Sequence, residues 1–502
     1  MTSTAGPGRA RRHPLLYQVN TRVLLRERGA ALGRPATLDD VPDRFLDEVA
    51  ERGFDWLWLL GVWRIGPAAR EVSRSRQDWM AGFRRDLPDL TPEDVTGSPF
   101  AVQGYEVDPR LGGDAALARI RARLARRGVR LLLDFVPNHV SPDHPWVAAH
   151  PGWFIEGTEA DLAGAPANWA RISTPSGARV LAHGRDPYFP GWPDTLQLDY
   201  RVPALREAMA RELRSVAERC DGVRCDMAML VLPDVFRRTW GDRAGAEAGP
   251  FWPEAIRAVR AARPGFVFMA EVYWDLEWEL QQQGFDFTYD KRLYDRLRAG
   301  PARPVREHLL AAPEFQDRSV RFLENHDEPR AAASFDPDRH RAAAAVTFLV
   351  PGLRFLHEGQ LEGRRVHVSM HLDRRPAEPP DPEVGAFYDA LLRVLRRSEV
   401  HDGAWRLRAC RPAWEGNPTC DDLVAFSWEA PGRRLLVAVN LSAHQAQGWV
   451  EAAFEGVEGR SVEVADLLGP HRYVRDGWEL CRKGLYLDVP GWRTHALEVR
   501  PR

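Results

Sequence analysis

The sequence predicts an α/β fold: a (β/α)8 TIM barrel with an insertion after its third strand, followed by an antiparallel β-sandwich. Three observations lead there. Apolar runs alternate with segments of helical periodicity from Leu15 to Arg397, the signature of parallel strands joined by crossover helices. Several of those runs end in acidic or imidazole side chains, as buried strands do when their last residues reach a rim. After Ser398 the texture changes to short β-branched runs separated by Gly and Pro, an antiparallel pattern.

Residues 1–13 are small, basic and contain Pro and Gly, and read as a disordered leader. LLYQVN (Leu15–Asn20) is the first strand. A helix over Asp39–Gly53 leads into the strand FDWLWLLGV (Phe54–Val62), and the amphipathic Asp114–Arg127, stopped by Gly128, leads into VRLLLDFV (Val129–Val136). From Ser141 to Leu198 periodicity lapses among Pro, Gly, Trp and His; a loop of that length inside a compact domain points to function. Helix and strand resume with Ala204–Cys220, GVRCD (Gly222–Asp226), the helix Phe251–Ala262 and FVFMAEV (Phe266–Val272). GFDFTYD (Gly284–Asp290), VRFLENHD (Val320–Asp327) and LRFLHEG (Leu353–Gly359) complete eight strands, and a last helix lies over Val384–Arg397. LVAFSWE (Leu423–Glu429), RRLLVAVNLS (Arg433–Ser442), GRSVEVADLL (Gly459–Leu468) and GLYLDVP (Gly484–Pro490) supply the sandwich. The division expected is therefore a leader over 1–13, a barrel over 14–140 and 199–398, an insertion over 141–198 and a sandwich over 399–502.

Composition restricts the function classes. A net charge of −2 gives no support to a nucleic-acid or membrane partner. The cations are almost all arginine, Lys291 and Lys483 being the lysines. Five cysteines, with no CxxC or Cys/His zinc spacing, suit a reducing compartment with free thiols. The N-terminus has no signal h-region and no run reaches the ~18 apolar residues of a membrane span, so a cytoplasmic location is expected.

Four segments concentrate the chemistry: DFVPNH (Asp134–His139), GVRCD, AEVYW (Ala270–Trp274) and ENHD (Glu324–Asp327). A lone Asp, Glu or His at a strand end is more often a structural hydrogen-bonder than a catalyst, and Asp134 is expected to be one, tying barrel-top loops together. Three carboxylates, two histidines and an arginine at matching offsets are a different matter. In this order and spacing the segments resemble the four signature regions of the α-amylase superfamily (glycoside hydrolase family thirteen).

That resemblance implies a retaining α-glycosidase acting on α-linked gluco-oligosaccharides or glucan, with the family's B domain at 141–198 and its C-terminal β domain after 398. It implies Asp226 as nucleophile, Glu271 as general acid/base and Asp327 as a transition-state stabiliser that binds sugar hydroxyls. His139 and His326 would hydrogen-bond the sugar, and Phe100 would stack beneath it where the family usually has tyrosine. Trp faces also stack on pyranose rings, a use for some of the eighteen Trp. Arg224, two residues before Asp226, points to the same face by the strand period and is expected to keep Asp226 ionised, whereas Glu271 needs a less cationic setting to hold a proton.

No cofactor is expected. Asn138 matches a calcium-ligating position of many amylases, but no carboxylate-rich loop accompanies it. Met229 and Leu230 stand where endo-acting relatives carry Lys and His, and are expected to form an apolar wall on the acceptor side. Ala101 replaces an Asp of exo-acting relatives, and ENHDEPR (Glu324–Arg330) resembles a form found in oligosaccharide-specific ones. The alternatives are a transglycosylase or trehalose-forming isomerase using the same covalent intermediate, a non-catalytic glycan-binding protein, and a barrel using a phosphorylated substrate through HEGQLEGRR (His357–Arg365).

Overall fold

The computed structural model describes residues 11–241 and 249–502. Eight parallel strands close a barrel: β1 (Leu15–Asn20), β2 (Trp56–Leu60), β3 (Arg130–Phe135), β4 (Gly222–Cys225), β5 (Val267–Ala270), β6 (Phe287–Tyr289), β7 (Ser319–Arg321) and β8 (Leu353–His357). They follow chain order around the ring, with β1 pairing both β2 and β8. Near-continuous apolar runs are what such strands require, since one side faces the barrel interior and the other the helices. β5, β6 and β7 are shorter than the apolar runs that mark them. The acidic residues that end those runs lie one or more positions beyond the ladders, free to turn toward the rim.

Helices cover the barrel between strands, among them Asp43–Glu51, Gly113–Ala125, Pro203–Arg219 and Phe251–Ala262. Gly53 and Gly128, both at positive φ, follow the first two and turn the chain into β2 and β3. The helix Pro337–Leu349 is alanine-rich and buried on nearly every side, as a helix must be when both its faces are covered. The barrel covers one face and the C-terminal sheet the other.

That sheet runs in the order β9 (Ala404–Arg408), β11 (Leu423–Ala430), β12 (Arg433–Asn440), β17 (Thr494–Pro501), β14 (Ser461–Asp466), β15 (Arg472–Asp476). A second sheet of β10 (Cys410–Pro412), β13 (Ala446–Val450) and β16 (Leu485–Val489) packs across it. Alternation assigns the faces. Val424, Phe426, Trp428, Leu435, Val437 and Val439 join the core cluster of the barrel, while Leu423, Ala425, Leu436 and Ala438 join a cluster with Val450, Leu485 and Val489 of the second sheet. With both faces buried, β12 reads as a continuous apolar run.

The insertion contains the short helices Pro145–Ala149 and Glu159–Gly164 and a hairpin of Trp169–Thr174 with Gly177–Ala182. Its neck is closed where His139 pairs with Gln197 and Val140 with Leu196. Residues 11–13, expected to belong to the leader, make tertiary contacts. Residues 1–10 lie outside the described residues, but Arg11 pairs with Asp55, Arg12 with Asp317, and His13 is buried against Trp428 with its Nδ1 accepting from Gly352 N–H. All five cysteines are unpaired. Among the described residues no helix is long and apolar enough to cross a membrane.

Trp428 links the two parts of the core. Its indole N–H donates to the Leu349 carbonyl at 2.6 Å, satisfying one of the orphan acceptors at a helix C-terminus, and its ring lies 5.6 Å from the buried Arg354 guanidinium. Trp428→Ala is expected to lower unfolding stability by about 3–5 kcal/mol, read from the denaturant midpoint. A loss below about 1 kcal/mol would contradict a shared core.

Candidate active site

The site is assembled at the C-terminal rim of the barrel from β1 to β7 and the loops that follow them. On β3, Asp134 turns inward: its Oδ1 accepts from Trp58 Nε1 at 3.2 Å and its Oδ2 from Gly61 N–H at 3.1 Å. Both oxygens are engaged with β2 and its loop, a structural tie between neighbouring strands. Burial pushes its carboxyl up to about 7.

On β4 the period of two sends Val223 and Cys225 to one side and Arg224 and Asp226 to the other. Arg224 is fully buried and holds two carboxylates: Nη1 donates to Asp226 Oδ1 and Nη2 to Glu271 Oε2, each at 2.6 Å. Its guanidinium carbon lies 4.8 Å from the Phe100 ring, 5.6 Å from Trp58 and 6.0 Å from Tyr289, so the charge rests in an aromatic box. The expectation that Glu271 occupies a less cationic place than Asp226 is corrected here. One guanidinium serves both, because β4 and β5 are adjacent in register and Arg224 pairs with Met269, two residues before Glu271.

Beyond β4 the chain turns sharply. Met227 adopts φ 40°, a left-handed conformation that costs a non-glycine residue ~1–3 kcal/mol, and its N–H donates to Glu271 Oε2, 2.8 Å away. Ala228 N–H then donates to the Glu271 carbonyl at 2.9 Å. The turn carries the following residues inward, into the short helix Ala228–Val231, where Met229 and Leu230 are 0% and 2% exposed. They belong to the core, so the expected apolar wall is not made by them. Ala101 is likewise buried, packed with Ile65 and Ala69. The aromatic surface at the rim comes from elsewhere: Trp274, on the loop after Glu271, meets the exposed Tyr188 of the insertion edge-on with ring centroids 5.0 Å apart.

Glu271 follows β5 directly. Its second oxygen, Oε1, is 2.8 Å from the hydroxyl of Tyr273. Burial pushes the Glu271 carboxyl up, Arg224 opposes this, and Asp226 and Asp327 push it further. Asp226 is raised by burial, opposed by Arg224 through charge and hydrogen bond, with Asp327 adding to the rise. Three carboxylates thus share one guanidinium, and like charges so placed cannot all ionise freely. Asp226 and Asp327 both push Glu271 toward its protonated form, while Arg224 and the Met227 N–H favour the ionised one.

The histidines complete the rim. His326 Nδ1 lies 3.0 Å from Gln18 Nε2, and its Nε2 lies 3.1 Å from Asp327 Oδ2. Asp327 is the open member of the group, with 33% of its side chain exposed. His139 Nδ1 lies 3.4 Å from Asn138 Nδ2, and its ring faces Trp192 at 5.2 Å. Burial drives His139 down to about 3 and His326 well below its ordinary range, so at neutral pH both are uncharged; His326 Nδ1 accepts from Gln18 Nε2, which leaves its Nε2–H as the donor at the rim. All seven residues singled out from the sequence meet here: Asp226, Glu271, Asp327, Phe100, His139, Arg224 and His326. Sequence reasoning missed Tyr273 and Met227, whose contributions depend on a loop conformation, and Tyr289 and Trp58, whose inward orientation the strand period indicates.

Asn138, the position considered for calcium, is held by another side chain. Its amide is paired reciprocally with Gln197, donating to Oε1 at 3.1 Å and accepting from Nε2 at 2.9 Å. Calcium takes six to eight oxygens. Among the described residues no group of three or more His, Cys, Asp or Glu is placed to hold a metal ion.

Comparison with known proteins places this arrangement in a class. The family described as "Alpha amylase, catalytic domain" matches residues 100–373, more than half of the chain, and the protein belongs to that family. Among curated relatives, the α-1,4-glucan:maltose-1-phosphate maltosyltransferase of Pseudomonas aeruginosa is 27% identical over 479 residues, 88% of this chain and 63% of that protein. The α-amylase MalA of Haloarcula japonica is 24% identical over 382 residues, 72% of this chain and 48% of that one. The chain spans less than two thirds of the length of the curated relatives it matches. Among solved structures, a noncanonic maltogenic α-amylase from Thermotoga neapolitana has the same fold, with a TM-score of 0.68 at 18% identity over 97% of this chain and 98% of that one.

Arg224→Lys keeps a positive charge but replaces a planar fork with a single point donor, which cannot hold Asp226 and Glu271 in the same geometry. Losing one bond to a charged group, worth ~1.5–3 kcal/mol, is expected to lower kcat/KM by about ten- to a hundredfold. Activity within about threefold of the parent protein would contradict the bridging role.

Proposed function

We propose that the protein is a retaining enzyme that cleaves α-glucosidic bonds of gluco-oligosaccharides or α-glucan through a covalent glycosyl intermediate. The observation that carries this is the single buried guanidinium holding Asp226 and Glu271 together beneath an open rim with Asp327 and His326. Two carboxyl groups on one cation stay close, which suits the ~5–5.5 Å of a retaining pair better than the wider gap of an inverting one.

Asp226 is the nucleophile. Arg224 occupies its Oδ1, which leaves Oδ2 to attack the anomeric carbon. As the C1–O bond breaks, Glu271 gives its proton to the leaving oxygen, and the sugar becomes an ester of Asp226. In the second step ionised Glu271 takes a proton from an incoming water or sugar hydroxyl, whose oxygen attacks C1 and releases Asp226. Two inversions give retention. Asp327 and the neutral His139 and His326 hold sugar hydroxyls, and Phe100 stacks on the ring face.

Glycosyl transfer is the second reading, favoured by the Pseudomonas relative that matches 88% of this chain and carries a transferase name. The chemistry up to the ester is the same, and what differs is the acceptor. Tyr188 and Trp274 offer that acceptor an aromatic edge on the Glu271 side. A non-catalytic glycan-binding role leaves the strained Met227 turn and the triple carboxylate cluster without purpose.

Product analysis with maltose, maltotriose, isomaltose, trehalose, sucrose and glycogen, in the presence and absence of inorganic phosphate, tests the function. Glucose and shortened chains indicate hydrolysis, and lengthened chains, isomers or sugar phosphates indicate transfer. Wild-type protein that converts none of them would overturn the proposal. Asp226→Asn is expected to lower turnover by several powers of ten, and retention of more than a tenth would remove Asp226 from its role. Glu271→Gln should impair oligosaccharides far more than α-glucosyl fluoride, whose leaving group needs no proton, and equal impairment would remove Glu271 from the acid/base role.

A further inference from the structure

The two oxygens of Glu271 have partners of different kinds. Oε2 accepts from Arg224 Nη2 at 2.6 Å and from Met227 N–H at 2.8 Å. Neither group can accept a hydrogen bond, so a proton on Oε2 would face two donors. A neutral Glu271 therefore carries its proton on Oε1. The partner of Oε1 is the Tyr273 hydroxyl at 2.8 Å, which can donate as well as accept. It is the one contact of the Glu271 carboxyl that tolerates both of its protonation states.

We propose that Tyr273 is a positioning residue for the proton on Glu271. In the resting site it accepts from Oε1–H and fixes the oxygen on which the proton sits. With substrate bound, the phenol turns to donate to Oε1 while Oε1–H donates to the glycosidic oxygen. As the proton passes to that oxygen and the C1–O bond breaks, Oε1 gains negative charge and the bond from Tyr273 becomes charge-assisted and stronger. The proton returns to Oε1 from the water or sugar hydroxyl that attacks the ester. Tyr273 is never deprotonated in this sequence, and burial, which pushes its hydroxyl far up, keeps it a neutral donor. The inference rests on the acid/base role proposed for Glu271.

Several other groups face the Glu271 carboxyl and set its titration. Arg224 of β4 favours the ionised form, while Asp226 after β4 and Asp327 after β7 oppose it. His139, His326 and the Tyr289 phenol are also close enough to interact, but burial keeps both imidazoles and the phenol uncharged. Removing a donor to the ionised form weakens the acid. In Tyr273→Phe the basic limb of the kcat/KM profile should therefore move to higher pH.

The test compares wild type and Tyr273→Phe in the full chain, with maltotriose and with α-glucosyl fluoride across pH. The inference predicts a basic limb raised by about one pH unit, kcat/KM for maltotriose at neutral pH lowered about tenfold or more, and a smaller change for the fluoride. Superimposable limbs, or equal losses on both substrates, would show that Tyr273 only packs, and would overturn it. Wild type inactive on both substrates would remove the Glu271 assignment itself, a different outcome from an active wild type whose profile Tyr273→Phe leaves unmoved. Biosynthetic 3-fluorotyrosine keeps the test open should the Phe variant fold poorly. Its more acidic phenol is a better donor, so the limb should move to lower pH, and no movement in the labelled, active protein would also overturn the inference.

Discussion

Arg224 is the interaction on which the site depends. A guanidinium without contact to water is costly to bury, and this one is accommodated because its two terminal nitrogens each meet a carboxylate and its faces meet Phe100, Trp58 and Tyr289. Those contacts come from four barrel strands or their loops and from the segment before Val102. Closing the ring thus brings together what stabilises the charge. Asp226 and Glu271 are buried in turn only because the cation is there. Each part is destabilising alone and tolerable together.

The backbone contributes as much as the side chains. Met227 donates its N–H to Glu271, and its φ of 40° takes Met229 and Leu230 out of the rim. Trp274 and Asp275, at φ 67° and 62°, do the corresponding work after Glu271, where Arg292 pairs with Asp275 at 2.7 Å. Such conformations persist where the surroundings over-determine them. Here the surroundings are the β4–β5 ladder and the buried helix Ala228–Val231, so the strain lies beside the two carboxylates that Arg224 holds.

Much of this was legible in the sequence, for reasons that differ by level. The eight strands were readable because a parallel barrel buries both faces of each strand, and LLYQVN or WLWLL then has no polar alternation to confuse with an amphipathic helix. Asp226 and Glu271 stood out because each directly follows such a run, and Asp327 because it closes the polar ENHD after VRFL. The failures have a common cause. Met229 and Leu230 were placed at the rim by counting residues from Asp226, and a left-handed residue at 227 broke the count. His13 was expected in the leader because it is polar and next to arginines, but it is held by a tertiary contact with Trp428. The shared cation of Asp226 and Glu271 depends on which strands are neighbours, and the contribution of Tyr273 depends on loop geometry.

The most direct test of the central claim is to trap the ester. A fluorinated glucosyl fluoride, whose ring fluorine slows both steps but whose fluoride leaves without a proton, should accumulate one glycosyl group per chain, and peptide mass analysis should find it on Asp226. Labelling of Glu271, Asp327 or another residue, or turnover with no covalent label at any time, would contradict the account.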